Sequence, residues 1–231
     1  MNEKYTYGFE SSAVNESSVI KNIFLWMAAG LALTGFVANG LYTSGLVVQV
    51  IRSGMMFPLL IGEIALVFII SRNIMKFKAT TGILLFLLYS AINGVTLSSI
   101  FLAYTYSSIA NTFFITAALF GTMALYGSTT KKDLTKMGTY LFMGLIGVVI
   151  ATLVNFFIRS SGLNYIISIA GVVLFTGLTA YDVQKFTKIS REIGSEGGDM
   201  AMKVSIIGAL NLYLDFINLF LFLLRFLGRR R

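Results

Sequence analysis

Asn211-Leu-Tyr-Leu-Asp215-Phe-Ile-Asn218-Leu-Phe-Leu-Phe-Leu-Leu-Arg225 is the stretch on which the reading of this chain turns. It is apolar enough to lie in a lipid bilayer, yet an aspartate stands at its centre. A lone carboxylate at the middle of a membrane helix costs at least a few kcal/mol, so such residues usually face a protein interior and mark an ion or proton path. The rest of the chain is then the scaffold that makes Asp215 tolerable.

Composition supports a bilayer setting throughout. Of 231 residues, 56% are hydrophobic and 12% charged, with a mean hydropathy of +0.81. A soluble domain carries about 25% charged residues. Half that charge leaves too little polar surface to keep a globule in water, so the chain reads as an integral membrane protein. Without cysteine there is neither a disulfide framework nor a thiolate metal site. Without histidine the usual zinc ligand and general base are missing, which excludes His-Glu-x-x-His proteolysis. No resident cofactor is expected.

A spanning helix needs about 20 apolar residues. Seven candidates follow one another, over about 22–39, 55–70, 80–104, 111–126, 138–158, 164–184 and 204–226. The only proline, Pro58, lies near the start of the second, where its missing N–H does little harm. The expected organisation is a polar N-terminal tail (1–21), one all-helical transmembrane bundle (22–228) and a basic tail (229–231). No signal peptide is evident, since no small-residue cleavage site follows a short apolar core.

The net charge of +8 does not point to nucleic acid, because the basic residues are scattered among short loops between apolar spans. They orient the chain instead. A cytoplasmic N-terminus gives that side Lys4, Lys21, Arg72, Lys76, Lys78, Lys131, Lys132, Lys136, Lys185, Lys188, Arg191 and Lys203, against Arg52 and Arg159 opposite. Arg225 and Arg229-Arg230-Arg231 run against this rule. Either the last segment is short or re-entrant, or the earlier loops outvote the tail.

Polar residues inside the spans are the candidate sites. Glu63 lies midway along the second span, and Arg72 follows nine residues later, about 180° around the helix and some 13–14 Å along it, so the two cannot pair. The strip Ser90, Asn93, Thr96 and Ser99 reads as helix–helix hydrogen bonding, and Gly138, Gly144 and Gly147 as close-packing positions. In the last span, Gly208, Asn211, Asp215, Asn218, Phe222 and Arg225 recur at steps of three and four, which places them on one face. That stripe should turn toward the bundle interior, with Asn211 and Asn218 placed to hydrogen-bond Asp215 or to line the same cavity. Asp182 is a candidate partner for Asp215. If the sixth helix stops at Gln184, Asp182 lies too shallow. Helical propensity continues through Val183–Glu192 to the breaks at Gly194 and Gly197-Gly198, and a longer helix carries Asp182 deeper. Two carboxylates in contact share a proton and titrate as a coupled pair.

Leu212-Tyr-Leu-Asp215-Phe-Ile-Asn-Leu-Phe with Leu224-Arg225-Phe-Leu-Gly228, Ala180-Tyr181-Asp182-x-Gln184, Asn93-Gly94-Val95-Thr96-Leu97 and Lys131-Lys132-Asp133-Leu134 together resemble the signature of the Bax inhibitor-1 (TMBIM) family. The resemblance implies a seven-helix bundle with the last helix central. It implies a pH-sensitive calcium leak in bacterial members and suppression of cell death in eukaryotic ones. An aspartate pair that shares a proton maps onto Asp182 and Asp215, an arginine latch onto Arg72, and a pore glutamate onto Glu63. The Gly-Ser-Glu-Gly-Gly segment between the aspartates is longer than in compact members.

A proton-gated cation pathway is therefore the leading expectation. Its partners are the bilayer, protons and calcium, for which Glu63, Asp182 and Asp215 supply hard oxygen contacts. A proton-coupled exchanger uses the same carboxylates, and a membrane adaptor acting through other membrane proteins is a further alternative. Intramembrane aspartyl proteolysis fits poorly, because those enzymes carry Gly-x-Gly-Asp where this chain has Tyr213-Leu214-Asp215. The short tails favour a bacterial inner membrane.

Overall fold

The computed structural model describes residues 3–193 and 198–231, with side chains described from residue 18 onward; the Gly-Ser-Glu-Gly part of the glycine-rich segment lies outside the described residues. The architecture is all-helical: α1 (Glu3–Thr43), α2 (Leu46–Arg52), α3 (Met56–Asn73), α4 (Ala79–Leu97), α5 (Ile100–Ala103), α6 (Tyr106–Thr129), α7 (Thr135–Ile158), α8 (Ser161–Ile193) and α9 (Asp199–Leu227). Among the described residues, seven stretches are long and apolar enough to cross a membrane, with α4 and α5 counting together as one.

Local chemistry explains the boundaries. Gly45 and Gly54, both at φ 74°, flank α2 in left-handed conformations that a side chain would resist. Pro58 lies in the first turn of α3, where no intrahelical N–H is needed. Between α4 and α5, Ser98 Oγ and Ser99 Oγ donate to the carbonyls of Val95 (2.6 Å) and Thr96 (2.8 Å), and the helix breaks there. Thr105 caps α6 by accepting from Ser108 N at 3.3 Å.

Two alternatives that the sequence leaves open are decided by the helix lengths. Helix α8 does not stop near Gln184 but continues to Ile193, about 13–14 Å further along its axis. Helix α9 is unbroken over 29 residues, about 43 Å, which exceeds the roughly 30 Å hydrocarbon core. A short last segment is thereby excluded as the explanation of the basic tail.

Burial ranks the helices. Of the most apolar window of each span, 72% is buried in α9 and none in α7. Large apolar side chains such as Phe36, Phe57, Phe156 and Phe157 are more than 70% exposed, an outer surface that suits lipid rather than water. The last helix is the core of the fold.

Packing divides the chain into two compact units, Met1–Ala103 with Phe186–Tyr213, and Tyr104–Lys185 with Leu214–Arg231. In the first, α4 lies against α1 and α3, and Gly94 lets its helix approach the Thr34 carbonyl closer than any Cβ allows. In the second, Gly127 sits against the Ala180 backbone and Gly138 against the Tyr181 ring. Gly144 meets only the end of Leu174, and Gly147 faces open space, so the expectation that all three α7 glycines pack closely fails at Gly147. Outward-facing α7 has no neighbour there.

Candidate functional site

Two buried acidic centres stand out, one in each unit. In the first unit, α3 carries Glu63 at a depth where only 8% of it is exposed. A carboxylate so placed needs donors on both oxygens, and α4 supplies them. Thr96 Oγ1 donates to Oε1 at 2.7 Å and Asn93 Nδ2 to Oε2 at 3.2 Å. The three-residue spacing of Asn93 and Thr96 puts both donors on the α3-facing side of α4. Of the strip read from sequence as helix–helix bonding, Asn93 and Thr96 do that by holding Glu63, while Ser90 and Ser99 donate their hydroxyls to the local carbonyls of Phe86 and Thr96.

The network extends to α9 and α1. Asn93 Oδ1 accepts from Tyr213 OH at 3.0 Å, and Tyr213 OH lies 2.6 Å from Thr34 Oγ1. Thr34 Oγ1 also reaches the carbonyls of Gly30 (2.9 Å) and Ser90 (2.8 Å). The Tyr213 ring is fully buried, edge-on to Phe86 and Tyr89 at centroid distances of 5.8 and 5.6 Å. A set of donors runs from Tyr213 through Asn93 onto the Glu63 carboxylate, with Thr34 against the Tyr213 hydroxyl.

In the second unit, the continued α8 brings Asp182 against Asp215 of α9 at side-chain hydrogen-bonding range. Both are buried, at 8% and 5% exposure. Lys185 Nζ stands 3.8 Å from Asp182 Oδ1, one turn along α8, and 5.9 Å from the centre of the Tyr181 ring. Asp215 Oδ2 has no hydrogen-bond partner; among the described residues Thr176 Oγ1 is the other buried side-chain atom in that condition. Gln184, next to the pair in sequence, clamps the α6–α7 connection. Its Oε1 accepts from Leu134 N at 2.9 Å and its Nε2 donates to the Lys132 carbonyl at 2.8 Å.

The other sequence candidates fall differently. Asn218 donates to the Leu214 carbonyl of its own helix at 2.8 Å, not to Asp215, and Asn211 is half-buried. The expected inward polar stripe holds in part. Gly208 and Asp215 are buried, whereas Asn211, Asn218, Phe222 and Arg225 are half-buried, and Leu210, Leu212, Leu219 and Leu224 are fully buried. A helix packed on nearly all sides gives its tightest contacts to its apolar residues. Arg72 is exposed in the last turn of α3 and makes no ion pair among the described residues. The cation at the aspartates is Lys185, which sequence reasoning missed although its i, i+3 spacing from Asp182 marks it. Tyr213 was missed too, since a tyrosine in an apolar helix carries no distinguishing pattern. No group of three or more acidic side chains able to hold a metal occurs among the described residues.

A family model described as "Inhibitor of apoptosis-promoting Bax1" matches residues 16–231. The chain belongs to the Bax inhibitor-1 family. Among Bax inhibitor-1 relatives, "Inner membrane protein YbhL" of Escherichia coli (strain K12) is 49% identical over 211 residues, covering 90% of each chain. A protein of Borreliella burgdorferi is 49% identical over 220 residues, covering 92% of this chain and 94% of its own. A Streptococcus pyogenes serotype M1 membrane protein is 35% identical over 233 residues, covering 99% of each. The Bax inhibitor-1 match contains both acidic centres, and the family and relative names are those of membrane proteins rather than enzymes.

Each centre places carboxylate oxygens inside the helical bundle, where charge is costly and a partner cation or proton lowers that cost.

Proposed function

We propose that this Bax inhibitor-1 family member is a pH-sensitive calcium leak channel whose gate is the Asp182–Asp215 pair. The observation that carries this reading is the contact of two buried carboxylates, one with an oxygen that finds no donor. Two such groups cannot both hold full charge cheaply, so a shared proton is part of the resting arrangement. Losing it leaves two charges that repel and need a cation, which Lys185 supplies in part. Opening is then a rearrangement of α9, the innermost helix. Glu63 offers the oxygen contact for the passing ion, with Asn211 and Asn218 as further polar contacts along α9. Arg72 is assigned the latch role from the family resemblance.

The twelve-to-two loop asymmetry of basic residues supports a cytoplasmic N-terminus, and the name of the Escherichia coli relative supports a bacterial inner membrane.

The test is calcium entry into liposomes at two pH values for the wild type, Asp182→Asn and Asp215→Asn. The wild-type flux should change with pH, and each variant should lose that dependence. Identical flux and pH response in all three proteins overturns the gate. Flux that saturates and follows a counter-ion gradient identifies a proton-coupled exchanger using the same residues.

A further inference from the structure

A groove of about 270 Å³ runs along the C-terminal halves of α7 and α9 in the second unit. Val149, Leu153, Leu221 and Phe222 give it apolar walls, and Asn218 and Arg225 stand seven residues apart on its α9 side, about 10 Å along the axis. The Arg225 guanidinium lies over the Phe222 ring at 5.3 Å, and its Nη1 is 3.4 Å from Asn164 Oδ1. That contact is long and its acceptor neutral, so the charge is not compensated by it.

Among the described residues of the second unit, no carboxylate side chain is in reach. The second unit has only three acidic side chains, Asp133, Asp182 and Asp215. Asp133 precedes the far end of α7. Asp215 is ten residues from Arg225, about 15 Å along α9, and Asp182 is eighteen residues from Asn164, about 27 Å along α8.

The same end of the unit gathers further arginines and no lysine. Arg159 follows α7, and the chain after α9 is tied down, not loose. Thr105 N donates to the Arg229 carbonyl at 3.3 Å, Arg229 N donates to Ser108 Oγ at 2.9 Å, and Tyr104 pairs with Arg230. Arginine presents a planar fork that matches phosphate oxygens. Basic pockets between membrane helices take anionic lipid headgroups on the cytoplasmic side, and the same chemistry is open to a basic pocket at this end.

We propose that this groove binds an anionic phospholipid, with one acyl chain along the α7–α9 wall and the headgroup phosphate on Arg225. The lipid supplies both things the groove lacks, apolar filling and a counter-charge. It also accounts for arginines at an end of the bundle where the loop rule does not expect them. The inference is independent of whether the protein conducts calcium.

The test uses the purified full chain, mass spectrometry under native conditions, and dioleoyl phosphatidylglycerol against dioleoyl phosphatidylcholine, which share acyl chains. The wild type should retain phosphatidylglycerol about five- to tenfold better. Arg225→Gln should bring that ratio to near one, and Arg225→Lys, which keeps charge but not the fork, should fall between. Leu153→Trp, a change on an outward-facing residue that fills the groove, should lower retention of both lipids while the helical circular dichroism stays unchanged. Inorganic phosphate should not displace the lipid, because it has no chain for the groove. Equal retention of the two lipids by the wild type, an unchanged ratio in Arg225→Gln and Arg225→Lys, retention unaffected by Leu153→Trp, displacement by phosphate, or a dimer with no bound lipid would each overturn the proposal.

Discussion

Tyr213 donates its phenolic proton to Asn93 Oδ1 across 3.0 Å, and Asn93 in turn donates to Glu63. The last helix is thus joined to Glu63 through a single amide whose orientation is fixed from both sides. Removing the hydroxyl leaves Asn93 Oδ1 short of a donor in a buried place, while Thr34 Oγ1 keeps the Gly30 and Ser90 carbonyls. Tyr213→Phe should therefore lower stability by about 1–3 kcal/mol, read as a fall in thermal midpoint in detergent. An unchanged midpoint would show that the hydroxyl is dispensable.

Glu63 can be separated into shape and charge. In Glu63→Gln, the new amide can donate to Thr96 Oγ1, whose own proton already has the Asn93 carbonyl at 3.0 Å, while the remaining oxygen still accepts from Asn93. Gln should be accommodated within about 1 kcal/mol, whereas Glu63→Leu orphans the Asn93 donor and should cost about 1–3 kcal/mol. Both should reduce calcium flux in liposomes if the carboxylate is the ion contact. Full flux in Glu63→Gln would remove Glu63 from the path.

Gln184 holds the α6–α7 connection through both ends of its side-chain amide. Lys131 and Lys132 lie in that connection and are exposed. Gln184→Ala should raise trypsin cleavage there several-fold, since loosened exposed backbone is what proteases cut, with the cleavage site read by mass spectrometry. Unchanged digestion would mean the connection is held by other contacts.

Two glycines give a matched pair. A Cβ on Gly127 meets the Ala180 backbone, which cannot move aside as a side-chain tip can, and a Cβ on Gly147 meets nothing. Gly127→Ala should destabilise by about 1–3 kcal/mol, whereas Gly147→Ala should be neutral or stabilising by up to roughly 1 kcal/mol. Thermal midpoints measured side by side decide it. The reverse order would contradict the packing.

Apolar length alone reveals the seven spans, because a bilayer imposes one simple rule on every helix that crosses it. The site is legible more unevenly. Asp215 stands out because charge in such a helix is costly, but its meeting with Asp182 hinges on whether α8 passes Gln184, which local propensity suggests and cannot decide. The polar stripe of α9 is visible as a pattern. Its direction is not, since a helix surrounded by others is sorted by packing and not by polarity. Tyr213 and Thr34 are invisible in the sequence because their importance arises from a carboxylate on another helix. Lys185 lies in plain view, one turn from Asp182, and needs only the helix to continue for the pairing to follow.

Helix α7 buries none of its most apolar window. The protein holds it chiefly by its ends: Gln184 grips the connection before it, Gly138 rests on Tyr181, and Asn155 Oδ1 accepts from Ser160 N at 3.0 Å just beyond it. Its 24 residues measure about 36 Å, longer than a hydrocarbon core of roughly 30 Å, so it tilts to fit. Along its length one half-buried stripe, Leu141, Leu145, Val148, Ala151 and Asn155, faces the rest of the unit, and the other sides are exposed. Its anchored end rests on Tyr181 and Gln184, the neighbours of Asp182, so the start of α7 and the aspartate pair share one set of contacts on α8.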